Sequence, residues 1–233
     1  MSDPYFDIAA NTMQSIWGRT PQSYQCIVIP HVLKMMSNDV SPEPVLMVQS
    51  TGSGKSMVPL TLGAVDGGIS IIIQNTLALG SDQCSKVQRI ENLQIKDLKS
   101  FQLDTYKSDK DLLDVCSGIV EHCSSNKNTS IIVFSSPETL LKKPCIQFIS
   151  DAIDSEILRL FCIDEVHLFV QFGLSFRRQF QELRQVIINY FRVPNTEIYK
   201  VPLLFMTATF NNMLMGLLEQ MLGIYIDKIF FLG

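Results

Sequence analysis

None of the six cysteines, at positions 26, 84, 116, 123, 145 and 162, belongs to a C-x-x-C pair. That spacing speaks against a zinc site, and several of the six lie inside apolar runs. Reduced, partly buried thiols of a cytosolic or nuclear setting fit this usage better than a disulfide frame. His122-Cys123 has no second pair of ligands nearby and reads as solvated surface. Charge is scarce as well, with 18% of residues charged and a net charge of −4. Such a chain has no global basic field to draw it to nucleic acid or an anionic membrane, so any nucleic-acid contact has to be local. No apolar run approaches the ~20 residues of a membrane span, and no membrane partner is expected. Met1-Ser2-Asp3-Pro4-Tyr5 lacks the basic-then-apolar form of a signal peptide. There is no internal repeat and no low-complexity tract.

Apolar residues are plentiful. At 233 residues and 46% hydrophobic, the chain suits one large α/β domain with a sizeable core. Short apolar, β-branched runs predict strands at 45–48, 69–73, around Phe101, and at 131–134, 158–163, 201–206 and 225–232. Between them, helices are expected at 7–17, 22–36, from 57 to about 63, 81–90, 110–122, from Pro137, 176–190 and 211–222. Strands alternating with helices predict a parallel sheet covered on both faces. Residues 1–40 read as N-terminal helices and 41–233 as the sheet-bearing part, one structural unit overall.

Two stretches carry chemistry. The first is Gln49-Ser50-Thr51-Gly52-Ser53-Gly54-Lys55-Ser56, between the strand at 45–48 and a helix. Glycines let successive backbone N–H groups converge on an anion, so strand, glycine loop and helix in this order suit a phosphate. Lys55 would reach the β- and γ-phosphates and the Ser56 hydroxyl would hold Mg²⁺. The match to G-x-x-x-x-G-K-[ST] is incomplete, because Gln49 stands at the first glycine and Gly52 supplies the flexibility within the loop. A plain Gly/Ser turn with a surface lysine is the alternative. The second stretch is Asp164-Glu165-Val166-His167, after the strand at 158–163. Ligands of open α/β sheets gather at the carboxyl ends of strands, which puts Asp164 in one crevice with Lys55. Asp164 would hold Mg²⁺ through water and Glu165 would orient or deprotonate the attacking water; the bland alternative is a charge pair at a helix start.

Together these residues resemble a superfamily 2 helicase, and more closely the RecQ family. Asp164-Glu165-Val166-His167 is similar to its DExH box, and Thr207-Ala208-Thr209 resembles motif III. Gln74-Asn75-Thr76-Leu77-Ala78-Leu79 resembles motif Ia, and Ser136-Pro137-Glu138-Thr139-Leu140 motif Ib. The stretch from His167 to Arg177 is similar to the aromatic-rich loop, and Gln25 stands where the family has its adenine-reading glutamine. The order of motifs is the family's from about Trp17 to Thr209.

The resemblance implies a RecA-like ATP-binding domain, the first of two helicase motor domains, acting on ATP with Mg²⁺. It assigns the nucleotide to Gln25, Thr51, Gly52, Ser53, Gly54, Lys55 and Ser56, the metal to Ser56 and Asp164, and catalysis to Lys55, Asp164, Glu165 and His167. Coupling falls to Thr207 and Thr209, and nucleic acid to Thr76, Phe172, Phe176 and Arg177. Phe169 fits a core as well as a binding surface. A 3′–5′ DNA helicase of repair and recombination is the implied function, with single-stranded or forked DNA as partner, nuclear, or cytoplasmic in a prokaryote. An RNA helicase of the same superfamily and a non-hydrolysing nucleotide-dependent binding module stay open.

Departures from the family pattern are Phe172 for its usual Trp, Leu174 for His, Gln22 for Arg and Gln74-Asn75 for Ser-Pro. Residues 210–233 hold one Lys and no Arg, so the arginine finger is expected from a second RecA-like domain absent from this chain.

Overall fold

The computed structural model describes residues 3–65, 67–74, 76–171 and 177–231, with the backbone alone for 169–171, 177–180 and 212. The chain begins with two helices, α1 (Pro4–Trp17) and α2 (Gln25–Met36), then enters β1 (Pro44–Val48) and α3 (Met57–Gly63). The Asp3 side chain caps α1 by accepting from Tyr5 N at 3.1 Å, and Gly18 ends it in the left-handed region at φ 61°. Next come β2 (Gly68–Ile73), α4 (Leu77–Asn92), β3 (Leu98–Gln102), α5 (Asp109–Ser125) and β4 (Ser130–Ser135). Two helices, α6 (Pro137–Leu140) and α7 (Lys143–Asp154), lead to β5 (Leu158–Ile163) and α8 (Val166–Gln171). The chain finishes with α9 (Arg177–Val186), which runs on into a π turn at Ile187–Phe191, then β6 (Leu203–Thr207), α10 (Asn212–Leu222) and β7 (Lys228–Phe231).

The seven strands form one sheet in the order β3-β4-β2-β5-β6-β1-β7, every pairing parallel. This is the RecA-like arrangement that the resemblance implies. Strand side chains alternate between two cores, as the period of two requires. Leu46, Ile71, Ile73, Phe161, Ile163, Leu203 and Phe205 face one core, shared with α5, α7 and α10. Val45, Met47, Ile72, Cys162, Leu204 and Met206 face the other, with α1, α2, α3 and α4. Burial on both sides explains why these strands read as continuous apolar runs. At Gly63, α3 approaches the sheet so closely that a Cβ would lie 2.8 Å from Ile132 Cγ1.

Three local readings change. Helix α4 starts at Leu77, not Ser81, because Thr76 caps it by accepting from Leu79 N at 3.4 Å. Helix α7 was not foreseen: the helix expected from Pro137 stops at Leu140, and a second one starts with Lys142 as its N-cap residue and Pro144 in its first turn. Cys123 is not solvated but packs in the first core, since the α5 face carrying Leu112, Cys116 and Ile119 turns inward. All six cysteines are free thiols, and five of them are buried. Among the described residues, no helix is long and apolar enough to cross a membrane.

Candidate active site

The strand order decides where the site forms. β5, β6 and β1 are neighbours, although β1 ends at Val48 and the other two begin only at Leu158 and Leu203. Their registers run Ile163 against Phe205 and Val48 against Thr207, so three carboxyl ends reach the same edge together. The glycine loop leaves β1, Asp164-Glu165 leaves β5, and Thr207-Ala208-Thr209 ends β6. Of the neighbours β1 and β6, the first is followed by α3 on one face of the sheet and the second by α10 on the other, the divergence at which α/β sheets open a crevice.

In the loop, Gly52 and Gly54 adopt φ of 76° and 88°, conformations open to glycine at no steric cost. Ser53 Oγ donates to the Ser50 carbonyl at 2.7 Å, and Lys55 Nζ donates to the same carbonyl at 3.3 Å. Lys55 is only 6% exposed, folded back across the loop instead of extended into solvent. Its Nζ lies 3.4 Å from Glu165 Oε1. The two motif stretches are thus in direct contact.

Asp164 and Glu165 differ sharply in environment. Asp164 is 3% exposed, and burial, with the Glu165 charge beside it, pushes its carboxyl up to about 6. The Glu165 amide, which donates to Asp164 Oδ1 at 2.9 Å, and Lys55 pull the other way. Glu165 itself sits at φ 50°, a left-handed conformation uncommon for a residue with a Cβ and costing about 1 kcal/mol. That backbone turn sends its side chain back towards Lys55 before α8 begins. Glu165 Oε2 lies 3.3 Å from His167 Nδ1, and His167 Nδ1 lies 3.0 Å from Thr207 Oγ1. Thr207 Oγ1 gives its one hydrogen to the Thr209 carbonyl at 2.8 Å and accepts from Thr209 N at 3.2 Å. The hydrogen of the third contact therefore sits on His167 Nδ1. A continuous polar chain runs from Lys55 through Glu165, His167 and Thr207 to Thr209.

The residues suit a magnesium-bound triphosphate. Gly52 has open space where a Cβ would stand, and a buried lysine lies beside the loop. Ser56 and Asp164 offer hard oxygen donors, the kind magnesium takes one or two of while keeping water and phosphate for the rest. Among the described residues, no cluster of three or more His, Cys, Asp or Glu could hold a metal by itself.

Gln25 reaches the same loop from α2, donating through Nε2 to the Gly54 carbonyl at 3.2 Å. Thr76 is exposed at the carboxyl end of β2, next to the site edge. Phe172 and Phe176 lie outside the described residues, and Arg177 is described by its backbone alone, as the first residue of α9. Two further residues act at this edge without any motif to announce them. Tyr24 donates its hydroxyl to the Ser53 carbonyl at 2.9 Å. Asp104, beyond β3, accepts from Ser136 N at 3.0 Å and Ser136 Oγ at 2.5 Å, holding the start of α6. Neither pairing has a local sequence signature, since the partners are about 30 residues apart.

Comparison with known proteins finds helicases. An ATP-dependent DNA helicase, Q-like SIM, from Arabidopsis thaliana is 28% identical over 176 residues, covering 75% of this chain and 18% of its own. The RecQ-like DNA helicase BLM of Xenopus laevis is 26% identical over 172 residues, 72% of this chain and 11% of its own. The chain spans less than a third of the length of the curated relatives it matches. In structure, the helicase MrfA bound to DNA and AMPPNP aligns with a TM-score of 0.63 at 18% identity, over 99% of this chain and 30% of that one. At that identity the likeness shows a shared fold. The family model for DEAD/DEAH box helicases matches residues 22–215. With the match reaching from the start of α2 into α10, this protein belongs to the DEAD/DEAH box helicase family.

Proposed function

We propose that this chain is the first motor domain of a RecQ-like, ATP-dependent DNA helicase, which couples hydrolysis to 3′–5′ movement along single-stranded or forked DNA. The observation that carries the reading is the 3.4 Å contact between Lys55 and Glu165, which joins the phosphate loop to the acidic pair across the sheet edge. In this reading Lys55 turns from Glu165 to the β- and γ-phosphates when ATP enters, releasing the carboxylate. Glu165 then accepts a proton from the attacking water, its orientation kept by His167. Ser56 and Asp164 would hold Mg²⁺, which would supply charge neutralisation at the phosphates. Thr207 and Thr209, bonded to His167, pass a change at the γ-phosphate to the segment after β6. Thr76, Phe172, Phe176 and Arg177 take the single strand, by stacking and phosphate contact. A second RecA-like domain closes the cleft and brings the arginine that stabilises the transition state, a contribution of about 10³–10⁵ in rate in other phosphoryl-transfer enzymes.

The test is ATP hydrolysis and strand separation by the full protein, with single-stranded DNA and RNA compared as activators and Lys55→Ala as control. DNA-stimulated hydrolysis and unwinding, both lost on the order of 100-fold in the variant, is the expected result. Stimulation by RNA alone would move the protein to the RNA helicases of the same superfamily. Nucleotide binding without hydrolysis in the presence of DNA would make it a binding module.

A further inference from the structure

A cavity of about 500 Å³ opens at the amino ends of β6, β1 and β7, the sheet edge opposite the phosphate loop. Sites for small molecules run from about 300 to 1,000 Å³, so the size is sufficient. Its walls come from three places in the chain. Glu43 precedes β1; Arg192, Glu197 and Tyr199 belong to the loop ahead of β6; Tyr225 and Asp227 lie on the turn from α10 into β7. The loop is closed on itself, since Arg192 and Tyr199 pair as an antiparallel bridge and Val193 N donates to the Ile198 carbonyl at 2.8 Å.

Two observations point to a ligand. Tyr199 is 3% exposed, and its hydroxyl, closed to solvent, makes no hydrogen bond among the described residues. Buried polar groups are nearly always paired, so this hydroxyl is a binding group that the fold itself does not use. Burial pushes its pKa up, so it stays protonated, able to accept one hydrogen bond and donate another. The second observation is charge. Glu197 is neutralised by Arg192, whose Nε also donates to the Thr196 carbonyl. Asp227 has no hydrogen bond or ion pair among the described residues. Glu43 Oε1 lies 3.2 Å from His31 Nε2, and burial holds the pKa of His31 below its ordinary value, so a neutral ring donates and the carboxylate keeps its charge. Lys228, next to Asp227, takes the other face of β7, in register with Val45 of the second core. Two negative charges are therefore left to the cavity. Among the described residues no three carboxylate, cysteine or histidine groups are placed to hold a metal ion, so the cation that fits is one whose donors are spread. A guanidinium has five N–H donors in a planar fork and stacks on aromatic rings, and Tyr225, 64% exposed, supplies a ring.

We propose that this cavity binds a guanidinium group on an alkyl stem, its N–H groups shared among Asp227, Glu43 and the Tyr199 hydroxyl, with Tyr225 as the stacking face. The chemistry is the same whether the group belongs to an arginine side chain of a basic peptide or to a free guanidino compound. It is independent of the triphosphate reading of the opposite edge.

The experiment is calorimetric titration of the full protein, parent, Tyr199→Phe and Asp227→Asn, with agmatine, N-acetyl-arginine amide and N-acetyl-citrulline amide. The last keeps the shape of the arginine compound and loses its charge. Guanidinium compounds are expected to bind and the citrulline amide is not. Tyr199→Phe, losing a buried hydrogen bond to a cation, is expected to weaken binding about 10-fold. Asp227→Asn, at an exposed carboxylate, is expected to weaken it about 3–5-fold. Without ligand, Tyr199→Phe should melt about 2–4 °C higher than the parent, because it removes an unpaired buried group. Binding of both guanidinium compounds supports the site and assigns it to an arginine side chain; binding of agmatine alone supports it and assigns it to a free compound. No binding by either, equal binding of the citrulline amide, or binding that both variants leave unchanged overturns the proposal. So does a lower melting temperature for Tyr199→Phe, which would show the hydroxyl already engaged within the fold.

Discussion

Replacing Asp164 with Asn is expected to make the metal-free protein more stable at neutral pH while removing its hold on a magnesium nucleotide. The carboxyl is held at about 6 in the fold against an ordinary 3.8, chiefly by burial and then by the Glu165 charge. The folded state therefore binds this proton more tightly than the unfolded chain. The stability it contributes is complete below about pH 3.8 and is lost as the pH rises through about 6. At about 1.36 kcal/mol per pH unit, the loss is on the order of 3 kcal/mol above pH 7 and about 1 kcal/mol at pH 4.5. Asp164 is 3% exposed, so solvent does little to screen the effect. Asn has nearly the same shape, keeps an oxygen for the Glu165 N–H, and has no charge to desolvate. Urea unfolding of parent and Asp164→Asn at pH 4.5 and 7.5 measures the difference directly. With a slope of about 3 kcal/mol per M, the variant's midpoint should exceed the parent's by about 1 M at pH 7.5 and about 0.3 M at pH 4.5. An equal gap at both pH values, or a variant less stable than the parent at pH 7.5, would refute the reasoning.

Glu165→Gln keeps the size of the side chain but removes its proton acceptor and its charge opposite Lys55; ATP binding should persist within a few-fold while turnover falls by about 10²–10⁴. Equal losses in binding and turnover would make Glu165 a structural partner of Lys55. Thr207→Val preserves shape and strips the hydroxyl that joins His167 to Thr209, at a cost of about 1–3 kcal/mol for the groups left unpaired. Its DNA-stimulated hydrolysis should drop more than its basal rate, and equal drops would remove the coupling role. Gly63→Ala puts a Cβ 2.8 Å from Ile132 Cγ1 and 3.2 Å from Ser70 Cβ, forcing α3 off the sheet. An overpacking cost of about 1–3 kcal/mol corresponds to a melting temperature lower by about 2–12 °C, and an unchanged one would show that α3 has room to shift.

Local readings succeeded where physical chemistry is local. The runs at 69–73 and 158–163 are strands because β-branched and apolar residues without a polar face have to be buried on both sides. Asn211 announces α10, accepting from Leu214 N at 2.7 Å as a helix cap does. Readings failed where a local signal had two meanings. Lys142-Lys143-Pro144 ends one helix and starts another, and the inward face of α7, with Cys145, Phe148, Ile149, Ala152 and Ile153, repeats at helical spacing. That periodicity was in the sequence, hidden behind a proline that reads as a stop. Thr76 too has two readings, a nucleic-acid contact by resemblance and a helix cap by geometry.

By itself the sequence determined which residues could carry chemistry, because glycines before a lysine and paired carboxylates after a strand have few uses other than phosphate and metal chemistry. It determined the fold class too, since the alternation of buried strands and amphipathic helices admits few other solutions. Which strands lie side by side was decided only by the tertiary structure: pairing is set by long-range packing, and nothing local says that β6 lies between β5 and β1. Upon that order depend the Lys55–Glu165 contact, the link from His167 to Thr207, and the burial that lifts Asp164. Tyr24 belongs with these, because a tyrosine in a helical stretch acquires a role only when the fold brings a carbonyl 29 residues away to its hydroxyl.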